Sequence, residues 1–165
     1  TSYCAMNKKQ INIYTDGSSR GNPGPGGYGI VMEDVDSNYF KEFSSGFRLT
    51  TNNRMELMAV IEGLKKIKNY GYNVTVYTDS KYVSEAVEKK WVFKWQLNNF
   101  KKKKNSDLWK EFLQLYPKHS IKFKWIKGHN NHPQNERCDF LAVSASKKSN
   151  LQKDEVYENN KTMNK

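Results

Sequence analysis

The chain has 165 residues, 36% of them hydrophobic and 13% aromatic, enough for one domain with a real core and too apolar for a disordered segment. Lys plus Arg number 28 against 17 Asp plus Glu, a formal charge of +11, which favours a polyanionic partner. No apolar run approaches the roughly 18 residues of a membrane span, the first residues lack the apolar stretch of a signal peptide, and two cysteines make no disulfide framework. A reducing, cytoplasmic setting is therefore expected, with no membrane partner and a monomeric state.

Residues 1–8 read as an N-terminal extension, of which Thr1 to Ala5 precede a natural start at Met6. From residue 9 to 15, Ile11, Ile13 and Thr15 alternate with polar neighbours and predict a strand. A Gly- and Pro-rich stretch, GSSRGNPGPGG, follows as a long hairpin loop, and YGIVMEDV (28–35) and YFKEFSSGF (39–47) predict two more strands in a hairpin. The segment TTNNRMELMAVIEGLKKIKNYG repeats apolar residues at helical spacing, with Gly71 past its end. VTVYTD (74–79) is a strand, and a helix is predicted from about Ser80 to Glu88.

Residues 89–105 interleave lysines with Trp91, Phe93, Trp95 and Phe100; the two tryptophans are expected to pack inward at i, i+4. Ser106 is a candidate cap for the helix DLWKEFLQLY. IKFKWIKGH (121–129) sets Ile121, Phe123 and Trp125 on one face, and Pro133 opens a last helix through QNERCDFLAVSASKK. Residues 149–165 are polar and predict a flexible tail, leaving one domain over 9–148. Three meandering strands followed by helix, strand, helices, strand and helix predict a mixed sheet with packed helices, the strands at 9–15 and 74–79 being parallel neighbours.

One pattern occurs twice: IYTDGS at 13–18 and VYTDS at 76–80. On parallel strands, Asp16 and Asp79 emerge together at the carboxyl edge of the sheet, where ligands of open α/β sheets gather. Adjacent carboxylates repel unless a cation neutralises them, and hard oxygen donors point to Mg²⁺ or Mn²⁺. Glu56 interrupts the apolar helix RMELMAV, and Asp139 lies in NERCDFLAV beside core-facing residues. Any one of these acids alone reads equally as a cap or a surface charge. Four together can hold two divalent ions roughly 4 Å apart, the arrangement used for phosphodiester cleavage.

The glycine-rich stretch lacks the Gly-Lys-Ser/Thr ending of a P-loop and leads into a strand, so nucleotide binding is not supported. His129, His132 and Cys138 have a spacing that invites a zinc site, but one cysteine inside a helix and a histidine before Pro133 fit it poorly; His132 reads as a capping or loop residue.

The motifs TDGSSRGNPGPGGYG, TTNNRMELMAV, VYTDSKYV and WIKGHNNHPQNERCDFLA, in that order, resemble those of type 1 ribonuclease H. The resemblance implies a ribonuclease H-like α/β fold: a five-stranded mixed sheet, three strands antiparallel and two parallel, with helices on both faces. It implies hydrolysis of the RNA strand of RNA–DNA hybrids with two Mg²⁺ ions. Carried over residue by residue, Asp16, Glu56, Asp79 and Asp139 are its metal-binding catalytic acids, and His129 matches its loop histidine. Asn52 and Asn53 match minor-groove contacts, Thr51 a DNA-phosphate contact, and Ser19 and Asn22 loop positions near substrate. Lys101, Lys102, Lys103 and Lys104 resemble a shortened form of the family's basic protrusion. The small residues of the first loop would let the RNA minor groove come close. A hybrid-binding module without turnover, or another two-metal nuclease on the same fold, are the alternative readings.

Overall fold

A computed structural model of the chain describes residues 9–128 and 132–163. The expected extension at 1–8 and His129 lie outside the described residues. Five strands, β1 (Gln10–Ser19), β2 (Gly24–Asp34), β3 (Tyr39–Thr50), β4 (Asn73–Thr78) and β5 (Ser120–Trp125), form one sheet in the order β3-β2-β1-β4-β5. β1 to β3 are antiparallel neighbours, whereas β4 is parallel to β1, with Ile13 beside Val76, and β5 is parallel to β4, with Phe123 beside Val76. The expected five-stranded mixed sheet is what the chain forms.

Helices cover both faces. On one, α1 (Asn52–Lys65), α2 (Lys81–Glu88), α3 (Trp91–Leu97) and α4 (Ser106–Leu115) enclose the main core. There Ile13, Ile30, Leu57, Ile61, Val76, Trp109 and Phe112 are fully buried. On the other, α5 (Pro133–Ser146) lies across β1, β2 and β3 over a small cluster of Tyr14, Val31 and Cys138. The Cys138 thiol donates to the Tyr14 carbonyl at 3.1 Å, and burial raises its pKa, so it is an inert packing group. His132 caps α5, its Nδ1 accepting from the Asn135 N–H at 3.3 Å.

The glycine-rich stretch differs from its sequence reading. β1 runs on to Ser19 and β2 begins at Gly24, so Arg20 to Pro23 alone make the turn, closed by the Arg20 N–H donating to Pro25 O at 2.7 Å. Its glycines serve packing more than exposure: a methyl on Gly29 would run into the Cys138 carbonyl and stand 2.8 Å from Leu141 Cβ. Small residues at this crossing let α5 press onto the sheet.

Three local expectations are corrected. Asn105, at φ 62° and with no side-chain cap bond, precedes α4, and Ser106 is its first residue. Trp91 stays 40% exposed, while Val92, Phe93 and Trp95 make the inward contacts of α3. The flexible tail is folded over its described part: Gln152 bridges to Phe47 of β3, and α6 spans Glu155–Met163. What ties it down is Asp154, buried against Arg54 at 2.8 Å, and Glu158, bonded bidentate by Arg48 at 3.0–3.1 Å.

Candidate active site

Asp16 comes from β1 where it pairs with Gly29, and Asp79 follows the last residue of β4, so the parallel pairing sets the two side by side. Glu56 reaches them from the second turn of α1. That helix starts where Thr51 Oγ1 accepts from the Arg54 N–H at 3.2 Å, and Glu56 faces the sheet among Met55 and Leu57. Helix and strand nearly touch: the Gly17 N–H donates to Glu56 Oε1, and a methyl on Gly17 would strike the backbone of Met55 and Glu56. One oxygen from each of Asp16, Glu56 and Asp79 lies within 4.8 Å of the others. Asp139, from α5, lines the same cavity of about 450 Å³ and adds its charge to Asp16.

The electrostatics show what this arrangement costs. Burial, reinforced by the neighbouring Asp79 charge, pushes the Asp16 carboxyl up to about 8. Burial and then Asp16 raise Glu56 well above the carboxylate range, so the two titrate as a linked pair. Carboxyl groups forced together this way hold protons unless a cation replaces them. All-oxygen, acid-rich donors at this spacing suit a hard divalent ion and offer no soft ligand for zinc.

The remaining predicted residues fall around this centre. Asn52 and Asn53 are exposed and line the acid cavity. Asn22 Oδ1 accepts from the Asn52 N–H at 3.0 Å, tying the first turn to the start of α1. Ser19 closes β1 opposite Gly26 and does not line the acid cavity. A larger cleft of about 820 Å³ runs beside the acids, lined by Asn22, Thr51, Asn53, Lys103, Lys104 and, from α6, Tyr157. Lys103 Nζ also sits 4.8 Å over the Trp95 ring. Lys101 and Lys102 are exposed on the same turn and line neither cavity. Sequence reasoning missed Lys81 and Tyr82, which border the acid cavity from α2, and Tyr157, hidden in a segment read as loose. The position of Lys81 two residues after Asp79 was the available signal for the first.

An open α/β sheet carrying a carboxylate cluster at the adjacent ends of β1 and β4 defines the class: a divalent-metal-dependent hydrolase of phosphodiesters. The RNase H family model matches residues 8–147, and the chain belongs to the ribonuclease H family. The ribonuclease H of Desulforamulus reducens is 53% identical over 150 residues, covering 88% of this chain and 92% of that protein. That of Rippkaea orientalis is 51% identical over 156 residues, covering 92% and 94%. Among solved structures, LC9-RNase H1, described as a type 1 RNase H with the type 2 active-site motif, superposes with a TM-score of 0.76 at 32% identity. That match covers 84% of this chain and 72% of the other. LC11-RNase H1, solved in complex with RNA/DNA hybrid, has a TM-score of 0.59 at 28% identity, covering 82% and 95%. Family membership and the acid cluster together make this a divalent-metal enzyme. Among the described residues no helix is long and apolar enough to cross a membrane.

Proposed function

We propose that the chain is a monomeric endoribonuclease that hydrolyses the RNA strand of RNA–DNA hybrids, leaving 5′-phosphate and 3′-hydroxyl ends. Two Mg²⁺ ions would be held by Asp16, Glu56, Asp79 and Asp139. The observation that carries the reading is the convergence of three carboxylate oxygens within 4.8 Å on a protein of charge +11. When bound, such ions activate a water and offset charge on the phosphoryl and leaving oxygens. The chain's own residues do the rest. Burial and mutual repulsion bias Asp16 and Glu56 toward their protonated forms, and a bound cation would displace those protons to solvent. The Gly17 N–H fixes the orientation of Glu56. Asn52 and Asn53 stand at the rim with amides able to donate to and accept from a 2′-hydroxyl, the group that separates RNA from DNA. Lys103 and Lys104 border the adjoining cleft and Lys101 and Lys102 extend the positive turn, contacts suited to phosphates and blind to sequence. His129 is assigned to proton transfer or product release on the strength of the motif alone.

The test is cleavage of labelled RNA–DNA hybrid, duplex RNA and duplex DNA by the purified chain with Mg²⁺. Cleavage is expected of the hybrid only, and Asp79→Asn should slow it by about 10³-fold or more. Equal cleavage of duplex DNA, or a hybrid rate untouched by Asp79→Asn, would refute the assignment.

A further inference from the structure

Trp125 ends β5, and the alternation that buries Ile121 and Phe123 puts its side chain on the same face. Yet the indole is 45% exposed, whereas those two side chains are 8% and 5% exposed. Its polar edge is engaged instead: Nε1–H donates to the backbone carbonyl of Asp79 at 2.9 Å. The parallel ladder explains why that carbonyl needs an outside donor. Pairing between β4 and β5 stops at Thr78 beside Trp125, and its last rung is the Ile126 N–H donating to Thr78 O at 2.9 Å. Asp79 is thus the first residue past the sheet, where the ladder no longer fixes the chain.

Its surroundings are held from several sides. The Ser80 N–H donates to Thr78 Oγ1 at 3.0 Å, and Ser80 Oγ accepts from the Val83 N–H at 3.2 Å to cap α2. Gly128 backs the side chain, because a methyl there would stand 2.7 Å from Asp79 Oδ2. Lys81 Nζ lies 4.8 Å over the Trp125 ring and borders the acid cavity. A half-exposed indole contributes little to the core, and a phenyl ring would fill the same place. What a phenyl ring lacks is the donor.

We propose that Trp125 is a positioning residue: its indole N–H holds the backbone of Asp79 past the end of β4, and so sets the carboxylate at the separation from Asp16 and Glu56 that a divalent cation requires. This rests on the metal-dependent reading above. The bond costs little to form, because both partners sit at the sheet edge and the tryptophan is already anchored by β5. Its loss leaves the fold intact and loosens one ligand.

The test is Trp125→Phe in the full chain. Mg²⁺ binding is measured by titration calorimetry without nucleic acid, alongside the Mg²⁺ dependence of hybrid cleavage, KM for the hybrid, and Tm. Removing one hydrogen bond to an anchoring carbonyl should weaken Mg²⁺ binding by about three- to tenfold. Cleavage should recover to within about twofold of the parent at saturating Mg²⁺, with KM and Tm essentially unchanged. An unchanged Mg²⁺ affinity overturns the proposal. A higher KM with unchanged Mg²⁺ affinity also overturns it, assigning Trp125 to contact with nucleic acid. A parent chain that binds no Mg²⁺ overturns instead the metal-dependent reading on which the proposal rests, so the two failures are distinct.

Discussion

Asp16→Asn, studied in protein stripped of divalent ions with EDTA, should stabilise the fold while abolishing its chemistry. Asp16 and Glu56 are 6% and 4% exposed, so neither carboxylate is well hydrated. Burial and then Asp79 lift Asp16 from 3.8 to about 8, while burial and then Asp16 raise Glu56. Between those values the folded protein keeps a proton that the unfolded chain has released. The native state therefore binds more protons, and stability falls as pH rises from about 4 through about 8. Each pH unit of such a window corresponds to about 1.4 kcal/mol for one group, which sets a ceiling on the order of 6 kcal/mol. Relaxation and the effective dielectric of a real protein site reduce this to about 2–3 kcal/mol. Asparagine keeps the shape and removes the charge, so metal-free Asp16→Asn should exceed the parent in stability by about 2–3 kcal/mol near pH 8. The gap should close below about pH 3, where the parent carboxyl is protonated in both states. Urea denaturation followed by circular dichroism across that range reads the difference, and Mg²⁺ at pH 8 should lift the parent far more than the variant. Parallel pH curves for the two proteins, or a variant less stable throughout, would refute the reasoning.

Asp154→Ala should cost about 3–5 kcal/mol by urea denaturation, because it leaves the buried Arg54 guanidinium with half its carboxylate partners and strands Thr50 Oγ1. Amides of α6 should then exchange faster with solvent. Replacing Lys101, Lys102, Lys103 and Lys104 with alanine should raise KM for the hybrid about tenfold at physiological salt with kcat unchanged. It should also flatten the dependence of log KM on log salt by roughly 0.9 for each phosphate that the lysines no longer neutralise.

The parts of the molecule that sequence made legible share a physical cause. Ile11, Ile13 and Thr15 alternate because β1 is a strand with structured faces, and its echo in VYTD shows a second strand ending in the same way. Parallel pairing then forces Asp16 and Asp79 together, and the charge of Glu56 inside an apolar helix needs a partner that these acids explain. The glycine-rich stretch hid its nature because residues without side chains leave no alternation to read. Gly24 to Gly29 form a strand through pairing with β1 and β3, which local composition does not record. The C-terminal segment was opaque for another reason. Its order depends on Arg54 and Arg48, about a hundred residues earlier, and a polar helix held by ion pairs shows no apolar face. Trp125 keeps its place in the alternation yet stays half-exposed, because the core ends at Phe123, before the strand does.

Arg54 explains how the neighbourhood of the acids is made rigid. Its Nε and Nη2 donate to Asp154 at 2.8 and 3.0 Å, its Nη1 and Nη2 to Asp107 at 2.9 and 2.8 Å, and Nη1 reaches Asn105 at 3.3 Å. A planar fork of five donors can hold two carboxylates bidentately at once, which the three-donor ammonium of lysine cannot. Those partners come from the start of α4 and the turn before α6, and Arg54 itself lies one residue after Asn53. One side chain therefore sets the start of α1, the end of the lysine turn and the C-terminal segment relative to one another. These elements form the walls of the large cleft beside the acids. A polyanion seated there would meet prearranged amides and ammonium groups, and less ordering entropy would be lost on binding. The same guanidinium lies two residues before Glu56, so the geometry that orders the cleft also anchors the helix presenting a carboxylate to the centre.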